Sequence, residues 1–160
     1  MPRSGLGRED LPGALAAVVL VNLVGGAPAV LGGPDTAWFA ALAKPDIYPP
    51  PWAFGVVWPI LFALLGVALY LVWRTDADGR PLALGLFVTQ MTFNVAWTPA
   101  FFLAQNLVVA LGIIVVLFAL AAATAVAFRR VSRLAGALLV PYLLWVAFAA
   151  ALNYQFVALN

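Results

Sequence analysis

Residues 81–104, PLALGLFVTQMTFNVAWTPAFFLA, decide how this chain is read. The stretch contains no Asp, Glu, Lys, Arg or His, and as a helix it exceeds the roughly 20 residues needed to cross a bilayer's hydrocarbon core. It is not uniformly apolar. Gln90, Asn94, Trp97 and Phe101 recur at i, i+4, i+7 and i+11 and so share one helical face. Two amides, an indole and a phenyl in one line mark either a wall of a pocket for a flat, partly polar ligand or hydrogen-bonded glue between membrane helices. Pro99 is expected to bend this helix near its end.

The rest of the chain has the same character. Of its 160 residues 66% are hydrophobic and 9% charged, and the mean hydropathy is +1.06. A soluble domain has about 45–50% and about 25%, so the composition predicts an integral membrane protein. Four further apolar blocks, at residues 11–31, 51–73, 107–128 and 134–157, bring the expected spans to five. None shows the two-residue alternation of a barrel strand, and in lipid a spanning backbone is otherwise satisfied only as a helix. The expected fold class is therefore an all-α integral membrane protein: one membrane domain over residues 1–160, a five-helix bundle with a long first loop at residues 32–50. The first block exceeds a signal peptide's apolar region of 7–15 residues, and Glu9 and Asp10 dilute its basic start, so it is read as an uncleaved helix.

Basic residues set the expected orientation. Arg3, Arg8, Arg74, Arg80, Arg129, Arg130 and Arg133 fall on one side of the five spans and Lys44 alone on the other. This predicts a cytoplasmic N-terminus and an outside C-terminus, in a plasma or inner membrane. The net charge of +2 reflects that bias and gives no sign of nucleic-acid binding.

Absences exclude much chemistry. With no Cys and no His there is no disulfide, thiolate nucleophile, catalytic triad or imidazole metal site. No Asp, Glu, Lys, Arg or His lies inside a block, which argues against a pump, antiporter or voltage sensor. No metal and no cofactor is expected. Two further stripes accompany the one on the third span. Phe54, Trp58 and Phe62 recur every four residues on the second, where Pro59 is expected to kink the helix, and Tyr142, Trp145, Ala149, Asn153 and Phe156 line one face of the fifth. Three stripes in one small bundle support a pocket between facing helices, while packing alone remains the alternative. The fourth span, with Thr124 as its one polar residue, reads as a plain packing or lipid-facing helix. Gly85 and Thr89 form a small-xxx-small pair, a weak signal for a homodimer face.

In order along the chain stand Gly26-Ala27-Pro28, Pro34-Asp35, Trp38-Phe39, Lys44-Pro45, Pro49-Pro50, Trp52, Trp58, Gln90, Phe93-Asn94, Trp97-Thr98-Pro99, Phe101-Phe102, Pro141-Tyr142-Leu143-Leu144-Trp145 and Leu152-Asn153-Tyr154. The chain so resembles the TspO / translocator protein family, also called tryptophan-rich sensory proteins or peripheral benzodiazepine receptors. The resemblance implies a five-helix bundle whose first loop caps a pocket for porphyrin or haem, bound as ligand rather than as cofactor. It implies a pocket built on Trp58, Asn94, Trp97 and Trp145, to which the stripes add Phe62, Gln90, Tyr142 and Ala149, under a lid carrying Trp38, Lys44, Pro49 and Pro50. The implied function is a membrane binding protein for tetrapyrroles, acting as sensor, scavenger or conduit, with the lipid bilayer as its other partner. The alternatives are a light-dependent porphyrin-degrading enzyme using Trp58 and Trp145, and an interaction protein without a small-molecule ligand. Two departures from the family pattern stand out. Asp46 and Ile47 follow Lys44-Pro45 where many members have Trp, and no basic residue follows Tyr154, so the cholesterol-recognition pattern is incomplete.

Overall fold

The structure, a computed structural model, describes residues 6–160, so Arg3 lies outside the described residues. Every regular element among those residues is helical. The α-helices, in chain order, are α1 (Leu11–Gly26), α2 (Ala37–Ala41), α3 (Pro51–Trp73), α4 (Arg80–Thr98), α5 (Leu107–Val131), α6 (Arg133–Leu138) and α7 (Val140–Leu159). Helix α1 packs on α3, α4 on α5, and α5 on both α6 and α7.

Four helical stretches are long and apolar enough to cross a membrane: Arg8–Val30, Pro51–Trp73, Leu107–Val131 and Arg133–Leu159. Leu15, Leu23, Val108 and Leu144 stand exposed on their outer faces, each more than 60% accessible. Water would not tolerate such surfaces and lipid does. The chain is an integral, multi-pass membrane protein. Of the five expected spans, the third is the one outside this set. Its residues do form a helix, α4, but Thr89, Gln90, Thr92, Asn94 and Thr98 make it less apolar than the others.

Prolines account for the remaining departures from the expected boundaries. Pro28 brings no N–H, and α1 gives way at Gly26 to a 3-10 turn over Ala27–Val30. Pro99 does more than bend its helix: α4 ends at Thr98 and a π turn follows over Pro99–Leu103, closed by Ala104 N–H donating to Pro99 O at 2.9 Å. The last block opens as the short α6 and restarts as α7, with Pro141 in the first turn of the new helix. Pro59, by contrast, sits within a continuous α3.

Side-chain caps start the elements after the turns. Thr36 Oγ1 accepts from Phe39 N–H at 3.2 Å at α2, Asn106 Oδ1 from Val109 N–H at 3.0 Å at α5, and Ser132 Oγ from Ala135 N–H at 3.3 Å at α6. The tight α4–α5 connection places Gln105 at φ 53°, the left-handed region. Close approach of α1 and α3 depends on Gly66, where an added Cβ would lie 2.5 Å from Val18 Cα. At the α1 start, the Asp10 carboxylate accepts from Tyr70 Oη at 3.0 Å and pairs with Arg74, tying α1 to the end of α3. The core holds Leu65, Ala68, Val72, Phe128, Tyr142 and Val146, all fully buried. Gly85 and Thr89 face outward, the Thr89 hydroxyl bonded to Gly85 O of its own helix.

Candidate ligand-binding site

The helices enclose a cavity of about 710 Å³ that opens beneath the segment joining α1 to α3. Small-molecule sites occupy roughly 300–1,000 Å³. Helix α1 contributes Asn22, Gly25 and Gly26 to the wall, and α3 contributes Phe54, Trp58 and Phe62. Asn94 and Trp97 come from α4, Ile114 and Leu117 from α5, and Trp145, Ala149 and Asn153 from α7.

The indoles and phenyls are braced against one another. Trp58 stacks on Phe62 at 5.3 Å and meets Trp145 edge-on at 6.4 Å, and Phe54 meets Trp145 edge-on at 6.0 Å. Such pairs add roughly 0.5–1.5 kcal/mol beyond area burial and fix ring orientation. Trp97 Nε1 donates to Asn153 Oδ1 at 3.0 Å, and Asn153 Nδ2 donates to Leu107 O at 3.0 Å, so α4, α7 and α5 are joined at one point. Trp145 Nε1 is buried and has no hydrogen-bond partner among the described residues.

Of the residues expected at a site, Trp58, Phe62, Asn94, Trp97, Trp145 and Ala149 line the cavity together. Gln90 and Tyr142 do not. Both are fully buried behind the wall, where Asn94 Nδ2 donates to Tyr142 Oη at 2.9 Å and Tyr142 Oη donates to Gln90 Oε1 at 2.8 Å. They hold the Asn94 amide in place; Gln90 Nε2 has no partner among the described residues. The stripe on the third span thus divides by depth, its outer half facing the cavity and Gln90 facing the core.

The cap is likewise divided. Phe39 of α2 and Tyr48 line the cavity, whereas Trp38, Lys44, Pro49 and Pro50 do not. Trp38 meets Phe101 edge-on at 5.9 Å, behind the wall. Lys44 folds back on the cap: its ammonium donates to the carbonyls of Phe39 and Leu42 and lies 4.2 Å from the Phe39 ring centroid. Pro49 and Pro50 lead into α3, whose first residue, Pro51, is in the wall. The Asn160 side chain clasps the cap from α7, accepting from Ala43 N–H at 2.8 Å and donating to Ala43 O at 3.2 Å. Nothing in residue type or spacing flags that pair, which is 117 positions apart.

A family model for the TspO/MBR family matches residues 15–159. The chain belongs to the TspO/MBR family. It is 42% identical to a translocator protein of Sus scrofa over 125 residues, covering 76% of this chain and 74% of the relative. It is 42% identical to a translocator protein of Homo sapiens over the same length. A tryptophan-rich sensory protein of Cereibacter sphaeroides is 38% identical over 138 residues, 84% of this chain and 85% of the relative.

In this TspO/MBR chain the wall also includes Asn22, Asp35, Phe101, Phe102, Leu152 and Phe156. Phe101 and Phe156 were visible as stripe members; Asn22 and Asp35 stand alone in their segments and carry no periodic signal. Helix α5, expected as a plain packing or lipid-facing helix, packs on α4 and α7 and also lines the cavity through Ile114 and Leu117. The wall is rich in aromatic surface. The sequence has no His or Cys, the usual axial donors. Burial raises the pKa of the Tyr48 phenol.

Proposed function

We propose that this chain is a membrane-embedded binding protein for flat tetrapyrroles of the porphyrin and haem type, acting as sensor, scavenger or conduit. The observation that carries the reading is the convergence of Trp58, Trp97 and Trp145, from three different helices, on one cavity of tetrapyrrole-compatible volume. Indole faces give a planar ring stacking area, and the Asn94 amide gives it a polar contact. The names of the relatives, translocator protein and tryptophan-rich sensory protein, accord with a ligand-handling role in a membrane. In this reading α4 with its π turn is the fifth crossing, the N-terminus is cytoplasmic, and the segment at residues 32–50 caps the pocket from the outside. The absence of Asp, Glu, Lys, Arg and His from the five apolar blocks favours passive handling over ion-coupled transport.

The test is a dark titration with protoporphyrin IX, followed by tryptophan quenching and porphyrin absorbance. Wild type is compared with a folded Trp58→Phe, Trp97→Phe, Trp145→Phe triple variant. Saturable micromolar binding that weakens in the variant supports the site. Equal, unsaturable signal in both means partition into detergent or lipid. A second reading, light-driven porphyrin degradation, is favoured by the edge-on Trp58–Trp145 pair at 6.4 Å. It requires light-dependent loss of porphyrin absorbance that Trp145→Phe abolishes.

A further inference from the structure

The cap rests on the bundle through aromatic packing. Phe39 meets Phe102 at 5.4 Å and Phe156 at 5.7 Å, and Tyr48 meets Phe54 at 5.8 Å and Phe156 edge-on at 5.9 Å. Apolar contact is non-directional, so it holds the cap down without fixing its register. Polar ties are few. The Lys44 ammonium is engaged within the cap itself, by the Phe39 and Leu42 carbonyls. Residues 44–46 stand off from Gln155, Ala158 and Leu159 of α7 across a cleft of about 260 Å³. Among the described residues, the hydrogen bonds that join residues 32–49 to another element both go to Asn160, the C-cap of α7. Its Oδ1 accepts from Ala43 N–H, and its Nδ2 donates to Ala43 O and, at 3.0 Å, to Phe156 O. One amide thus holds both backbone groups of Ala43 and is itself oriented by α7. Neither Ala43 nor Asn160 lines the cavity, whereas Phe39 and Tyr48, on either side of Ala43 in the chain, do.

We infer that the Asn160 side chain is the latch of the cap: it sets how fast a ligand enters and leaves the cavity, and not how tightly the ligand is held. This rests on the cavity being a binding site and adds how its occupant is exchanged. Hydrogen bonds are directional and supply the register that ring packing leaves free. With the latch formed, Phe39 and Tyr48 stand in the wall. With it broken, the cap can shift on its aromatic bed and carry both rings out of place. Because Asn160 does not touch the cavity, its loss favours the open cap equally in the empty and the occupied protein. Entry and exit then quicken by the same factor, and Kd stays where it was. Both bonds to Ala43 are solvent-exposed, and two such bonds together are worth roughly fivefold in the closing equilibrium.

The experiment reads cap opening in two ways, with the protein in nanodiscs and in the dark. The chain has no Cys, so Ala149→Cys places a single thiol on the cavity wall. Its rate of modification by a charged, water-soluble methanethiosulfonate reports opening with no ligand present. Stopped-flow tryptophan quenching by protoporphyrin IX, with the wild-type wall, gives association and dissociation rates. Adding Asn160→Ala is expected to raise thiol modification, association and dissociation each about fivefold, with Kd within about twofold of wild type. Asn160→Leu, which keeps the size of the side chain and removes both bonds, should match it. Unchanged thiol and porphyrin rates in both variants overturn the inference. So does faster dissociation with unchanged association, which marks a distorted site rather than an unlatched one; either result leaves the cavity reading standing. Porphyrin quenching that never saturates overturns the macrocycle reading, while faster thiol modification in the same variants still supports the latch.

Discussion

The Trp97 indole N–H donates to Asn153 Oδ1 at 3.0 Å, which makes a cavity-wall aromatic part of the joint between α4, α7 and α5. Ligand surface and helix packing are the same atoms here. Removing Asn153 leaves a partly buried indole N–H unpaired and takes a donor from the Leu107 carbonyl. Asn153→Ala is expected to cost about 1–2 kcal/mol, close to the upper range for interhelical hydrogen bonds in membranes. The thermal midpoint in detergent should fall by several degrees. Porphyrin affinity should weaken as well, because the Trp97 ring loses its anchor. An unchanged midpoint would show that the two helices do not depend on this joint.

The relay from Asn94 through Tyr142 to Gln90 makes a separable prediction, since two of its three members lie behind the wall. Tyr142→Phe removes the central hydroxyl and should destabilise by about 1 kcal/mol. Gln90→Leu removes an acceptor, but also removes an amide N–H that has no partner among the described residues, so it should cost less. The double variant should be no less stable than Tyr142→Phe alone, because the two changes act on one network. Thermal melts of the three variants check this, and strict additivity would contradict the relay.

Gly66 predicts a steric failure. A Cβ there meets Val18 Cα at 2.5 Å, backbone against backbone, where no side chain can yield. Gly66→Ala should separate α1 from α3 and destabilise by roughly 1–3 kcal/mol, in line with overpacking elsewhere. Gly55→Ala, with open space around the added Cβ, is the control and should be close to neutral. Melting curves of the two variants side by side decide it.

Iron should add little to binding. The sequence lacks His and Cys, the usual strong axial donors. Haem and metal-free protoporphyrin IX are expected to bind within about threefold of each other, with a haem spectrum free of a strong protein axial ligand. Haem binding a hundredfold tighter would mean a ligand to iron that this wall does not supply.

Membrane character was legible because hydrophobic length is a one-dimensional property: the blocks at residues 51–73 and 107–128 became α3 and α5 with little change. The stripes were legible as faces but not in depth. Helical spacing puts Gln90 and Asn94 on one side of α4 without saying which of them the neighbouring helix covers, and the Tyr142 hydroxyl reaching between them decided that. Proline effects were half legible. Pro99 was flagged as a bend, yet a π turn depends on where the freed carbonyls find donors, here Ala104 N–H and Asn106 N–H. Lys44 was visible as the lone cation of the first loop, but its return onto Phe39 is set by the fold of the cap. Asn22 and the Asn160–Ala43 clasp lie beyond sequence reasoning, because isolated residues take up their places only when distant segments meet.

The central claim is that a flat macrocycle occupies the cavity between Trp58, Trp97 and Trp145. Ala149, on the wall and small, allows the most direct measurement. Ala149→Trp fills the space while leaving every existing aromatic in place, so quenching by protoporphyrin IX can still be read. In nanodiscs of the same lipid, and with helical content matched to wild type, Kd is expected to rise at least tenfold. A Kd equal to that of the wild type would place the porphyrin outside this cavity.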